Sequence, residues 1–460
     1  MSRPYSAKIV NYLLPVVALT AAFLPTGAGA ADTVGDCRIG AYRLTDGSVV
    51  DIGPSDEDAL RWRRFDGTTG KLRKNADGSW SSSLGFTDKT DGKTVTFSDC
   101  AKGEISFSRI NGHRIAFDVT ETTFEGDGVK LVGRLVLPKS GGRTSIVVLI
   151  HGSENDSARD WYPLQRLLPA EGVGAFVYDK RGTGASGGKY TQDFNLLAND
   201  VVAAMREARR LAGARAGRIG YFGTSEGGWI APLAANRAPV DFVIVGYGLA
   251  VSVIDEDQEE VALEMRLKGH SPEEIAKAQE IAAAAEAVFE SGFTKGFERF
   301  DAVRAKYRNE SWYKDVHGNY TYFILPYSSE VELREKAKAF NFAEMGTPFR
   351  YDPMPTLRAV KAPQLWILGG DDLEAPCAPT ASRIKALAAQ GHPITLAIFP
   401  QAEHGIYEFE TKADGERDDT RNADGYFAML RDFARDGRLK GSYGASIVTS
   451  PKLSNHEYQE

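Results

Sequence analysis

Residues 223–227 read Gly-Thr-Ser-Glu-Gly, a G-x-S-x-G pentapeptide at the junction of two hydrophobic patterns. Ile219, Tyr221 and Phe222 end a strand-like run, and Trp229, Ile230, Leu233 and Ala234 begin a helix-like one. A serine on so sharp a strand-to-helix turn is expected to take a strained backbone, with Gly223 and Gly227 leaving room for close approach. The turn would lift the Ser225 hydroxyl clear of the sheet, to meet a general base on one side and an electrophilic carbonyl on the other. In a chain with 47 glycines the pattern alone is weak. It gains weight from two later segments. Residues 364–368 form a short apolar run followed by Gly369-Gly370-Asp371-Asp372-Leu373-Glu374-Ala375-Pro376, and residues 394–399 form another followed by Pro400-Gln401-Ala402-Glu403-His404-Gly405. Each puts ionisable groups just past the carboxyl end of a strand, where open α/β sheets build their sites. A hydroxyl, an imidazole and a carboxylate so arranged would supply nucleophile, base and orienting acid, the acid being Asp371 or Asp372.

The elements that must position these groups alternate along the chain. Residues 145–150 and 173–178 are nearly continuous apolar strands, residues 200–211 and 382–389 carry helical spacing, and Tyr426, Phe427, Leu430 and Phe433 stripe a final helix. This predicts an α/β fold, a mostly parallel sheet covered by helices on both faces. A long insertion separates Val245 from Gln364. In it Ser271-Pro272-Glu273-Glu274 has the form of a capped helix start, and Ile275, Ala278, Ala282, Ala285 and Phe289 mark one apolar face. The insertion is read as a helical cap over the site, at about residues 250–350. Most of Trp312, Tyr313, Tyr320, Tyr322 and Phe323 are expected to pack the cap on the core, though they could also line a pocket.

Four motifs in this order resemble the α/β-hydrolase superfamily, and within it the secreted esterases, acyl hydrolases and serine aminopeptidase-like proteins. They are Leu149-Ile150-His151-Gly152-Ser153, Tyr178-Asp179-Lys180-Arg181-Gly182-Thr183-Gly184-Ala185-Ser186, the pentapeptide around Ser225, and the paired acid and histidine segments. The resemblance runs over roughly residues 125–440 and implies an α/β-hydrolase fold and a serine hydrolase that needs no cofactor. It also implies a triad of Ser225, Asp372 and His404, Asp372 being preferred over Asp371 because Gly369-x-x-Asp372-x-x-Ala375-Pro376 matches the family pattern. The oxyanion donors would be the backbone N–H groups of Ser153 and Glu226. His151 is expected to shape the oxyanion loop, and Asp179 and Arg181 to brace the loop they lie on. The other five of the seven histidines, His113, His270, His317, His392 and His456, fall at less suitable places.

The remaining sequence sets the frame. Arg3, Lys8, an apolar stretch at residues 12–23 and Ala28-Gly29-Ala30 read as a signal peptide over residues 1–30. A secreted or periplasmic destination follows, without stable membrane insertion once the signal is cleaved. In an oxidising compartment Cys37 and Cys100 are expected to form a disulfide, worth about 4 kcal/mol by chain-entropy reasoning; Cys377 reads as a small buried residue. Residues 31–111 carry short β-type runs punctuated by Asp46-Gly47, Asp66-Gly67, Asp77-Gly78, Asp91-Gly92 and Asn111-Gly112, the marks of a small antiparallel β-domain with hairpin turns. Trp62, Phe65, Trp80 and Phe86 are read as its core, and Arg61, Arg63 and Arg64 as a solvated strand edge. A hairpin around Glu125-Gly126-Asp127-Gly128 would open the catalytic domain at residues 112–440, and residues 441–460 read as a loosely held tail.

Composition excludes several classes of function. A net charge of −7 and no extended basic stripe argue against nucleic acid as a partner. Residues 182–187 satisfy G-x-G-x-x-G, yet Asp179-Lys180-Arg181 precede them and no helix pattern opens after them, so a dinucleotide is not expected. No metal-ligand spacing appears, and neither metal nor cofactor is expected. The expected partner is a small acyl substrate; the oligomeric state is left open. Three functions fit this reading: an ester or acyl hydrolase, a peptidase of small peptides, and a catalytically silent binding protein on the same fold. Cap acids such as Asp255 or Glu259 could hold a peptide's amine, but they read first as solvated helix charges.

Overall fold

The computed structural model of the chain describes residues 36–56, 58–99, 102–327 and 329–451. The signal segment at residues 1–30, Cys100 and residues 452–460 lie outside the described residues. The Cys37–Cys100 bridge is therefore still a proposal; Cys377 is a free thiol, half-buried at the start of a helix, where burial first of all pushes it up to about 11.

Between Gly40 and Arg114 eight antiparallel strands close into a barrel, the first strand pairing the last through Arg43 and His113. Three of its turns repeat one device. Asp46, Asp66 and Asp77 each accept the backbone N–H and hydroxyl of the Ser or Thr two residues on (Ser48, Thr68, Ser79), and the glycine between stands at positive φ. Such a side chain imitates a backbone turn and pins the hairpin register. The other two dipeptides are not turns. Asp91-Gly92 lies within the strand Thr90–Thr96 and Asn111-Gly112 within Ile110–Arg114, the last turn being made by Ser108 and Arg109 at positive φ instead.

Trp62, Trp80, Tyr42 and Phe107 fill the barrel, with Trp62 edge-on to Phe107 at 5.1 Å. Two expected core residues point the other way. Phe65 packs on Phe427, and Phe86 on Tyr407 at 5.1 Å, so both join the barrel to the catalytic domain. Arg61 is likewise not solvated: it is buried, donates to the Gly85 carbonyl and stacks on Phe86. An arginine can be buried here because its fork is hydrogen-bonded and its flat face covers an aromatic ring.

The catalytic domain is built on a nine-stranded sheet. Its strands are β1 (Phe117–Glu125), β2 (Lys130–Pro138), β3 (Thr144–Ile150), β4 (Gly174–Tyr178), β5 (Ala216–Thr224), β6 (Val243–Gly246), β7 (Gln364–Gly369), β8 (Ile394–Phe399) and β9 (Ile447–Thr449). They lie in the order β9-β8-β7-β6-β5-β3-β4-β2-β1. The pairs from β4 through β3, β5, β6 and β7 to β8 are parallel; β1 and β2 form the antiparallel entry hairpin, and β9 closes the far edge antiparallel to β8. The last of these corrects the expectation of a loose tail: residues beyond Gly441 add an edge strand, and Tyr443 is buried.

Side chains of β3 alternate between two cores. Ile146, Val148 and Ile150 face one, where α1 (Phe194–Ala212) and α2 (Gly227–Arg237) pack; Val147 and Leu149 face the other, covered by a C-terminal helix (Tyr426–Asp436). With both faces buried, the strands read as unbroken apolar runs. The insertion folds as a helical cap with its own core. Its principal helices are α3 (Val253–Leu267), α4 (Pro272–Glu290), α5 (Phe297–Tyr307), α6 (Asn319–Ile324) and α7 (Glu330–Ala339). The capping box at Ser271 and Glu274 is present as read.

Barrel and catalytic domain meet through a buried ion pair. Asp51, fully buried in the second barrel strand, receives two hydrogen bonds from Arg166 at 2.5 and 3.0 Å. Removing one member of such a pair strands the other without water or partner. Asp51→Ala is therefore expected to lower stability by about 3–5 kcal/mol, read from the urea midpoint, with Arg166→Ala costing less when added to it than alone. A loss under about 1 kcal/mol would mean the pair carries no weight.

Candidate active site

Ser225 stands at φ 50° between β5 and α2. A side chain in the left-handed region costs about 1–2 kcal/mol, so the surroundings must hold it there. Ser225 N–H donates to the Gly246 carbonyl at 3.1 Å, and the Ser225 carbonyl accepts from Gly228 N–H at 2.7 Å. The two flanking glycines are required by contact: a Cβ on Gly223 would lie 2.1 Å from the Gly227 carbonyl oxygen, and one on Gly227 would lie 2.7 Å from that of His151. The elbow thus forms only if strand, helix and the loop after β3 touch backbone to backbone.

The acid and histidine loops meet each other, and Glu374 of the acid loop lines one pocket with Ser225. Asp372 is 2% exposed, and its Oδ1 accepts from the N–H groups of Ala375 at 2.7 Å and Glu374 at 3.0 Å. His404 Nδ1 lies 3.0 Å from Asp372 Oδ2. Asp371 is exposed and contributes its carbonyl to Arg417 at 2.6 Å, so of the two adjacent aspartates it is Asp372 that faces the ring. The other imidazole nitrogen, Nε2, is 3.7 Å from Glu374 Oε1. Burial by itself lowers the affinity of His404 for a proton, but the carboxylates of Glu374, Asp372 and Glu256 reverse that and take it up to about 10.

Ser153 and Glu226, the expected oxyanion residues, line the same pocket as Ser225. The loop carrying Ser153 is held from outside. Lys180 donates to the Gly152 carbonyl at 2.6 Å, Tyr190 donates its hydroxyl to the Ser153 carbonyl, and His151 Nε2 lies 2.7 Å from the Tyr178 carbonyl. Asp179 accepts from the Ser157 hydroxyl and from the backbone N–H groups of Arg159 and Ala185, and Arg181 pairs with Asp200 at 2.7 Å, so both brace their loop. Its glycines serve the same packing: a Cβ on Gly184 would lie 2.3 Å from Asp179 Oδ2. The G-x-G-x-x-G run is accordingly a folded loop.

The cap closes the pocket with Val253 and Glu256 from α3 and with Asn319 and Tyr320 from α6. Asp257 seats α6 by accepting from the N–H groups of Tyr320 and Thr321 at 2.7 and 3.2 Å. Of the aromatic cluster only Tyr320 lines the pocket, while Trp312 is buried in the cap core. The cap acids Asp255 and Glu259 stand outside the pocket. Asp255 is occupied in the capping box of α3, and Glu259 does not line the pocket. The carboxylates that do are Glu226, Glu256 and Glu374, none of them foreseen as binding groups. Burial pushes Glu226 up to about 7, and burial followed by the charge of Glu374 raises Glu256 well above the usual range. Glu226 and Glu374 stand inside the motifs already singled out, one as the fourth residue of the pentapeptide and one two residues past Asp372. Glu256 is one helical step from Asp255, and only the orientation of α3 distinguishes them.

Residues 142–267 match the family described as serine aminopeptidase, S33. With this match, the sheet order and the elbow, the chain is a member of the α/β-hydrolase superfamily and a serine hydrolase of that type. Its structure is similar to an esterase of Pyrococcus furiosus, at 15% identity and TM-score 0.40, covering 63% of this chain and 84% of the esterase. It is similar to an acylaminoacyl peptidase of Pyrococcus horikoshii at 14% identity and TM-score 0.41, covering 86% of this chain and 57% of the peptidase. A thermophilic esterase of Thermogutta terrifontis gives 19% identity and TM-score 0.35 over 62% of this chain and 91% of that one. None of the curated protein sequences compared with the chain matches it.

Glu374 sets a pH signature. In the triad proposed below His404 is the base and must be neutral to accept a proton, so the acid limb of the kcat/KM profile would follow its imidazole. Glu374→Gln removes a negative charge beside Nε2, lowers the proton affinity of the ring, and is expected to move that limb to lower pH by about one unit. An unmoved limb would show that the limb reports another group.

Proposed function

We propose that the protein cleaves a carboxylic ester or related acyl bond through an acyl-enzyme on Ser225. The observation that carries this is the Asp372–His404 contact, with Glu374 joining His404 Nε2 at 3.7 Å to the pocket of a serine held at positive φ on a strand-to-helix turn. In this reading neutral His404 accepts the Ser225 proton at Nε2 as Oγ attacks the carbonyl carbon. Its Nδ1–H donates to Asp372, which fixes the tautomer and stabilises the imidazolium. The oxyanion is received by the N–H groups of Ser153 and Glu226. His404 then gives its proton to the leaving group, whose bond to the acyl carbon breaks, and water repeats the sequence to release the acid. The protein itself is exported to an oxidising compartment by the segment at residues 1–30.

A second reading, a peptidase of small peptides, is favoured by the three carboxylates Glu226, Glu256 and Glu374 lining a small pocket. Burying like charges together is costly unless a cation joins them. A substrate ammonium between Glu256 and Glu374 would offset their field at His404 and free the base at lower pH.

A fluorophosphonate should label Ser225 and no other residue. Ser225→Ala should lose the label and lower kcat at least about 10,000-fold. Short p-nitrophenyl esters compared with aminoacyl p-nitroanilides separate the two readings, a preference for the anilides of at least tenfold in kcat/KM selecting the peptidase. An unlabelled Ser225 in folded wild-type protein would reject both.

A further inference from the structure

We infer that Lys180 positions the oxyanion hole, by fixing the peptide whose N–H is the Ser153 donor. This rests on the proposed roles of Ser153 and Glu226. Lys180 is 3% exposed, and a lysine so buried needs partners that repay its desolvation. It has three. The Gly152 carbonyl is at 2.6 Å, Glu226 Oε1 is at 3.5 Å, and the Tyr190 ring centroid is at 4.8 Å.

The shortest contact is the informative one. A trans peptide is planar, so the Gly152 carbonyl and the Ser153 N–H point in opposite directions within one rigid unit. Anchoring the oxygen on Lys180 aims the N–H away from the ammonium. That unit adjoins the nucleophile, a Cβ on Gly152 lying 3.3 Å from Ser225 Cβ. A charged donor on the oxygen also polarises the amide and strengthens the N–H on its other side. The next carbonyl, of Ser153, is held by the hydroxyl of Tyr190, the same side chain the ammonium covers. The second proposed donor belongs to the same assembly, since Glu226, which lines the pocket, brings its carboxylate to Lys180. One ammonium thus ties the two halves of the hole together. Lys180 does not line the pocket with Ser225, so it acts through these peptides and is a positioning residue.

The simpler role would be to neutralise buried Glu226. Wild type, Lys180→Met and Lys180→Met/Glu226→Gln separate the two. Each is titrated to completion with a fluorophosphonate to count active Ser225, then assayed with p-nitrophenyl acetate and with a trifluoromethyl ketone whose hemiketal places an oxyanion on Ser225. For Lys180→Met we expect kcat per active site to fall about 10–100-fold, less than the loss of a whole donor, with KM little changed and the ketone Ki raised by the same factor. The double variant should regain thermal stability and no activity. Unchanged kcat and ketone affinity in Lys180→Met, or their recovery in the double variant, would overturn the inference. Should Lys180→Met not fold, the double variant compared with Glu226→Gln supplies the same two readings. Wild-type protein that takes up no label at Ser225 would instead refute the serine-hydrolase reading itself.

Discussion

The structure depends on keeping one serine in a left-handed backbone conformation. That state is uphill by about 1–2 kcal/mol for any residue with a Cβ and persists only where neighbours determine it more strongly than that. Here the neighbours are backbone. Gly227 abuts the His151 carbonyl, Gly223 abuts Gly227, and Ser225 N–H is bound by Gly246, so the ends of β3, β5 and β6 converge on one turn. Backbone contacts of this kind require the strands to be in register, and the register is set by the two apolar cores on either face of the sheet. The strain at Ser225 is thus supported by packing far from it.

A second constraint is the charge balance of the pocket. Glu226 is buried and Glu256 and Glu374 are half-buried, and the partial loss of water raises all three, while Lys180 and His404 are the cations they face. In low dielectric each charge acts at short range with little screening. The proton of His404 therefore cannot be considered apart from Glu374 and Glu256, nor Glu226 apart from Lys180. The same fields that favour a protonated imidazole at rest would attract a cation, and a cation bound there would release the proton.

What could be read from sequence was whatever a short window determines. The elbow at Ser225 was legible because the period of the hydrophobic residues changes at it, and the loops at Asp372 and His404 because each follows an apolar run. The turns at Asp46, Asp66 and Asp77 were legible because one side chain makes each of them. Closure of the barrel was not, since it depends on Arg43 meeting His113 across the whole domain. Nor was the strand Ile447–Thr449, three residues whose only specification is the free edge of β8. Arg61 was assigned wrongly because a strand alternates faces regardless of what covers each face, and Phe65 and Phe86 because both stand in turns just past a strand end, where alternation no longer fixes their direction. That Glu256 is the acid α3 presents to the pocket was not legible for a related reason: the phase of a helix about its axis is decided by tertiary packing.

The barrel carries none of the proposed catalytic residues, yet its contacts lead directly to one. The hairpin of Tyr407–Thr411 and Arg417–Asn422 begins three residues after His404. Its outer surface is docked on the barrel, with Phe86 N–H on the Asp419 carbonyl at 2.8 Å and Asn422 N–H on the Gly67 carbonyl at 3.0 Å. Its inner end holds the histidine loop, where Asn422 Nδ2 donates to the Gly405 carbonyl at 3.0 Å and Ala423 N–H to that of Ile406 at 2.9 Å. Arg417 extends the tie to the acid loop by bonding the Asp371 carbonyl and Glu403, whose other oxygen accepts Leu373 N–H at 2.8 Å. Left alone, two surface loops would sample many relative positions, and an imidazole displaced by about 1 Å can forfeit about 100-fold in rate. Clamping both loops to one hairpin, and the hairpin to a closed barrel, removes that freedom. Rigidity is what the N-terminal domain contributes to the site.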